Sequence, residues 1–244
     1  MTGITRQGER ADPVRHRPVI EEIAWRIIAE WKVKVPPPSE GIFERERQEI
    51  RAALEIFLRV EGARPANVAP FAFEKGFSGV PIEVQGGRSF RLKGRVDRID
   101  RTGPDTFRVI DYKSGNPKPF EGLDGFGRGR MIQHALYAVA VERLLFEEGL
   151  AKRPRVTESG YFFPTRRGEG REVLVREFDR GAFRALLRDI LAIISNGYFV
   201  RAAADDCRFC DYSPVCGGRH KETKAKLEAD PRIGPAFERL KSYD

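Results

Sequence analysis

The chain has 244 residues, 41% of them hydrophobic, enough to bury a sizeable core and to exclude a disordered polymer. Lys plus Arg number 44 against 36 for Asp plus Glu, a formal charge of +8, which favours a polyanionic partner such as nucleic acid. No apolar run reaches the roughly 18 residues that span a bilayer, and the Arg-rich start lacks the apolar stretch of a secretory signal, so a cytoplasmic protein without membrane contact is expected.

In chain order, VIEEIAWRIIAEW sets Ile20, Ile23, Ile27, Ile28 and Trp31 at helical spacing and predicts an amphipathic helix. The prolines of VPPPSEG end it, because each removes a donor and clashes with the preceding turn. A second helix is predicted from Glu40, with Phe43, Ile50, Leu54, Phe57 and Leu58 on one side. From Phe71 the pattern changes to short strands, FAFEKGF, VPIEV, RSFRLKGRVDRID and TFRVIDYKS, with turn signals at QGGR and RTGPD. MIQHALYAVAVERLLFEEGL predicts a helix with Ile132, Leu136, Val139 and Leu144 packing inward. ESGYFFP and REVLVREF predict two more strands, and RGAFRALLRDILAIISNG a helix ending at Gly197. The charged tail from Lys221 predicts a peripheral helix. Strands flanked by helices argue for an α/β sheet core. The expected organisation is a helical segment over 1–60, a core over 61–200, and a Cys-containing segment with a charged tail over 201–244.

The stretch GRVDRIDRTGPDTFRVIDYKSG reads as strand, Gly-Pro turn, strand. A hairpin centred on Pro104 sets Asp97 and Asp111 opposite each other on one face, with Cβ atoms roughly 4.5–5.5 Å apart. Lys113 points to the same face, because side chains alternate along a strand. Two facing carboxylates repel, so a cation belongs between them. Lys113 serves as that cation in an ordinary ion pair; a divalent, oxygen-loving ion such as Mg²⁺ or Mn²⁺ is the alternative.

The motifs GRVDRID, with Asp97, and VIDYKSG, with Asp111 and Lys113, resemble those of the PD-(D/E)XK nuclease superfamily. The resemblance is to its RecB-type branch, which includes nuclease domains of bacterial helicase–nucleases and the CRISPR-adaptation nucleases. QHALYA fits the branch's Gln-x-x-x-Tyr element through Gln133 and Tyr137, and Glu74 in FAFEKGF looks like the glutamate that precedes the first metal-binding aspartate. The resemblance implies a restriction-endonuclease-like core, a central mixed sheet flanked by helices, with helical N-terminal and Cys-containing C-terminal extensions. It implies a Mg²⁺- or Mn²⁺-dependent deoxyribonuclease, an exonuclease on single strands or DNA ends in recombinational repair. Its partners would be DNA and a helicase subunit or larger parent chain. A catalytically incomplete DNA-binding scaffold and a CRISPR-adaptation nuclease stand as alternatives.

By the same resemblance, Asp97, Asp111 and the backbone carbonyl of Tyr112 bind the metal, and Lys113 acts on the water or the phosphate. Gln133 and Tyr137, four apart on a helix, share a face that points to the site or to DNA. The branch's upstream metal-binding histidine has one counterpart here, His16, whose surroundings match its usual setting poorly.

CRFCDYSPVC holds Cys207, Cys210 and Cys216, the three cysteines of the chain. Three thiols this close favour a shared metal over scattered core residues. In the RecB-type branch this spacing looks like three ligands of a [4Fe–4S] cluster, which takes four. Asp206 or His220 could complete the set, and zinc in a Cys₃His site is compatible. The missing fourth cysteine and the poorly matching His16 together imply a chain that lacks the family's N-terminal segment.

Overall fold

The computed structural model describes residues 11–198, 211–216 and 220–243. Helix α1 runs over Arg17–Lys34, with a proline in its first turn, where the missing N–H costs nothing. Helix α2, Glu40–Gly62, starts at Ser39, whose side chain accepts from the Ile42 N–H, and Glu40 complements the helix dipole. The predicted inward stripe of α1 is only partly buried: Ile20 is enclosed, whereas Ile27 and Trp31 are exposed. On α2, Leu58 reaches the core.

Five strands follow in spatial order β1-β2-β3-β4-β5. They are β1 Ala69–Val84, β2 Arg88–Arg101, β3 Thr106–Tyr112, β4 Arg155–Phe163 and β5 Arg171–Arg176. FAFEKGF and VPIEV, read as separate strands, are one continuous β1. Glu74 (φ 49°) and Gly79 (φ 76°) adopt left-handed backbone within it, so the irregularity that the sequence suggests as a break is absorbed inside the strand. The β1–β2 turn uses Gly86 and Gly87 at φ 89° and 73°, as a tight hairpin between twisted strands requires.

Strands β2 and β3 are antiparallel, with Arg98 opposite Ile110. Strand β4 runs parallel to β3, with Asp111 opposite Tyr161, and β5 returns antiparallel to β4. The parallel step requires a crossover, supplied by helix α3, Gln133–Glu147, which packs on β3 and β4. Of the four large residues expected to face inward from α3, Leu144 is buried, while Ile132, Leu136 and Val139 are half-buried. Ala135, Ala138 and Ala140 are fully enclosed instead. Small side chains on the sheet-facing stripe let the helix approach closely, which is why the large residues lie at its flanks.

Helix α4, Arg180–Ser195, is capped by Asp179, whose carboxylate accepts from the Gly181 and Ala182 N–H groups. The tail forms a helical turn α5, Ser213–Cys216, then α6, His220–Ala229, and α7, Gly234–Leu240. The chain divides into two compact units. The first comprises the residues up to Ile82, Arg91–Leu123 and Gln133–Glu177 and holds most of the sheet, α1, α2 and α3. The second comprises Glu83–Phe90, Asp124–Ile132 and the chain from Phe178 onward. In it Phe126, Phe178 and Phe183 form an aromatic cluster with centroids 5.6–6.1 Å apart, and the Tyr243 hydroxyl donates to buried Asp189 at 2.8 Å. No helix among the described residues is long and apolar enough to cross a membrane.

Candidate active site

All the site residues expected from the hairpin and from α3 lie in the first unit. The β2–β3 register, continued one step past Arg98 and Ile110, sets Asp97 opposite Asp111, as the turn centred on Pro104 predicts. Asp97 Oδ2 accepts the Tyr112 backbone N–H at 2.8 Å. Asp111 is 7% exposed and its two oxygens have different partners. Oδ1 accepts from Gln133 Nε2 at 2.9 Å, and Oδ2 pairs with Lys113 Nζ at 2.7 Å. Gln133 also accepts from Lys113 Nζ through Oε1 at 3.1 Å. One amide therefore bridges the carboxylate and the ammonium, using its donor for one and its acceptor for the other.

Burial holds the Asp111 carboxyl above the ordinary carboxylate range, and the charge of Asp97 pushes the same way; Lys113 and Gln133 oppose both without cancelling them. Strand alternation explains why these side chains converge. Asp97, Asp111, Lys113 and Tyr161 share one face, and α3 lies over it with Gln133 as its first residue. Tyr137, one turn further along α3, packs edge-on to Phe77 with centroids 6.4 Å apart. Glu74 is exposed and pairs with Arg95 at 3.5 Å, two residues before Asp97 on β2.

The opposite face of the same strands carries a buried ion network. Arg98, fully enclosed, donates to Asp100 Oδ1 at 2.6 Å, to Glu61 Oε1 of α2 at 2.7 Å and to the Tyr112 hydroxyl at 3.4 Å. Burial disfavours the Arg98 charge, but Glu61 and Asp100 outweigh it and its pKa rises. Burial raises the pKa of Asp100 in spite of Arg98. Arg64 joins Glu61 at 2.7 Å to Glu172 at 2.6 Å, which ties α2 to β5. The network holds the hairpin from behind while the carboxylates stand in front.

The opposed Asp97 and Asp111 carboxylates offer oxygen donors of the kind a hard divalent cation takes. Asp97 Oδ2 and both Asp111 oxygens keep a lone pair beyond the partners named above. His16 is buried at the start of α1, where its Nδ1 accepts from the Asp12 backbone N–H at 2.9 Å. Among the described residues no group of three His, Cys, Asp or Glu side chains is poised to hold a metal. Cys207, Cys210 and Asp206, with the side chains of Cys216 and His220, lie outside the described residues.

Tyr161 escapes a reading of the sequence. It is 2% exposed, directly opposite Asp111, and the Lys113 ammonium sits 5.4 Å from its ring centroid. Burial and the nearby Asp111 charge push its phenol up to about 12. The only sequence signal is its place in the apolar run GYFF; the face it takes follows from a parallel register with a strand 50 residues earlier.

The family model of the PD-(D/E)XK nuclease superfamily matches residues 6–217. Relatives include proteins named as one of the subunits of an ATP-dependent helicase/deoxyribonuclease. That of Clostridium perfringens is 37% identical over 78 residues, 31% of this chain and 7% of the relative. That of Clostridium novyi is 30% identical over 117 residues, 44% of this chain and 10% of the relative. That of Acetivibrio thermocellus is 35% identical over 134 residues, 49% of this chain and 11% of the relative. The chain thus spans roughly a tenth of the length of these curated relatives. A match across most of the sequence, on a five-stranded mixed sheet with the aspartates and lysine on one face, makes the chain a member of the PD-(D/E)XK nuclease superfamily.

Proposed function

We propose that the chain is a Mg²⁺- or Mn²⁺-dependent deoxyribonuclease, acting as an exonuclease on single strands or DNA ends in the repair of double-strand breaks. The observation that carries this reading is the opposed Asp97–Asp111 pair with Lys113 and Gln133 bonded to one of its members. Asp97, Asp111 and the Tyr112 carbonyl hold the cation, which supplies a water of lowered pKa and neutralises charge on the phosphate. Lys113 spends two of its three N–H groups on Asp111 and Gln133, which leaves one for the attacking water or a phosphate oxygen. Gln133 keeps the lysine and the aspartate in register. Tyr137 contacts DNA from the same face of α3, and Glu74 acts at the rim of the site.

The basic balance of +8 supports a DNA substrate. The names and lengths of the relatives support work beside a helicase subunit or within a larger parent chain. Cys207, Cys210 and Cys216 are proposed as ligands of a [4Fe–4S] cluster, with a fourth ligand such as His220 or Asp206. Brown, anaerobically purified protein absorbing near ~400 nm is expected; colourless protein with stoichiometric zinc would favour a zinc site instead.

The test of the main reading is cleavage of labelled single-stranded and duplex DNA. Mg²⁺ or Mn²⁺ should support it and EDTA abolish it. Undiminished cleavage by Asp111→Ala and Lys113→Ala would refute the mechanism. That no group of three His, Cys, Asp or Glu side chains among the described residues is poised to hold a metal supports one second reading, a DNA-binding scaffold with an incomplete metal site. Salt-sensitive DNA binding without metal-dependent cleavage would support it.

A further inference from the structure

Lys113 is a flexible side chain in a site that demands a fixed one. Its side chain is 32% exposed, and a lysine stem has four rotatable bonds. Two hydrogen bonds, to Asp111 Oδ2 and Gln133 Oε1, restrain the ammonium. Both partners stand to be rearranged when Asp111 takes a cation, so a third restraint independent of that carboxylate matters.

The β4 strand supplies one. Parallel pairing sets Tyr161 opposite Asp111, and Lys113, two residues on, lies with its Nζ 5.4 Å from the Tyr161 centroid, within reach of a cation–π contact. The ring itself cannot swing away. It is 2% exposed, and Phe120, in the short turn Lys118–Phe120, packs on it with centroids 4.4 Å apart while also touching Phe163 at 5.5 Å.

We propose that Tyr161 is a positioning residue for Lys113: its immobilised ring face holds the ammonium in place and leaves one N–H for the substrate or water. The inference rests on the nuclease reading for its effect on rate, but not for the contact itself. The role of Tyr161 runs through the lysine, which its ring faces. The hydroxyl has its own hydrogen bond with the His134 backbone at the start of α3; the contact with the ammonium uses the electron-rich ring face instead.

Two measurements test it. First, Tyr161→Phe is compared with variants carrying phenylalanine with one, two or three ring fluorines at position 161, since fluorine drains the ring face of negative charge with little change in shape. Tyr161→Phe should keep kcat within about threefold, and kcat should then fall stepwise, about tenfold across the series. KM for DNA and the melting temperature should hold. A flat kcat across folded, fluorinated variants would overturn the proposal. Second, the Lys113 Hε signals of ¹³C-lysine-labelled, metal-free protein, assigned with Lys113→Met, should lie upfield through the ring current. They should stay there in Tyr161→Phe and move back towards free lysine in Tyr161→Leu. Hε signals at the free-lysine position in the wild-type chain would overturn the contact. Upfield signals in a chain that cleaves no DNA would refute the nuclease reading and leave the positioning of Lys113 standing.

Discussion

The Tyr112 backbone N–H donates to Asp97 Oδ2 at 2.8 Å, so the strand that carries Asp111 also fixes the carboxylate opposite it. Two ways of removing the Asp97 carboxylate should therefore differ in structural cost. Asp97→Asn keeps an oxygen for the Tyr112 N–H, and Asp97→Ala does not. Both should lose Mn²⁺ binding by calorimetry, and the alanine variant should also melt lower without metal, by about 1 kcal/mol for one unpaired amide.

Asp111 gives the metal-free chain a specific pH dependence. Its folded pKa lies above the unfolded value of 3.8, because of burial and then Asp97. The folded chain then binds the proton more tightly than the unfolded one. The stabilisation is present at acid pH and falls as pH rises from the unfolded value through the raised one. Asp111→Asn should flatten that slope in thermal melts run upward in pH from the unfolded value of 3.8, while abolishing any metal-induced rise in melting temperature. Asp97→Asn should move the Asp111 titration down in a carboxyl NMR experiment, because one of the two influences that raise it is removed.

Behind the site, Arg98 is the hub of a fully enclosed network with Glu61 and Asp100. Arg98→Ala leaves buried Asp100 without its partner and Glu61 with Arg64 alone, and should cost about 3–5 kcal/mol in urea unfolding. A triple replacement of Arg98, Glu61 and Asp100 by apolar residues of similar volume should recover most of that loss, because no charge remains without a partner.

The alanine stripe of α3 sets the distance between Gln133 and the sheet. Ala138→Leu places a large side chain where Ala138 is fully enclosed. About 1–3 kcal/mol of overpacking is expected. Because the displaced helix carries Gln133, DNA cleavage should fall further than stability alone explains, with kcat affected more than KM.

The parts of the site that are local in sequence can be read from it. The Asp97–Asp111 pairing follows from one turn and strand alternation, and the helical placement of Gln133 and Tyr137 from periodicity. Glu74 is not legible in the same way, since its left-handed backbone within β1 leaves it exposed and paired with Arg95, and periodicity carries no sign of that. Tyr161 depends on a parallel register across the α3 crossover, which no local pattern encodes. Nor does helical spacing alone reveal that Ala135 and Ala138, not Leu136 and Val139, meet the sheet: the choice between two apolar stripes is made by how closely the helix approaches. Ile27 and Trp31 carry the same ambiguity, being spaced for burial yet exposed.

Neighbouring residues on one strand serve opposite faces: Asp97 stands in the site and Arg98 in the ion network, and Asp111 and Tyr112 divide in the same way. A hairpin built like this does not tolerate a change in length. Inserting or deleting one residue on β2 shifts the pairing by one, and the shift exchanges the two faces. An insertion would bring Arg98 into the candidate site and Asp97 onto the face of the enclosed network at once; a deletion would bring Val96 into the site instead. The loop from Thr102 to Asp105 is thus as constrained in count as the carboxylates are in kind, although none of its side chains belongs to the site.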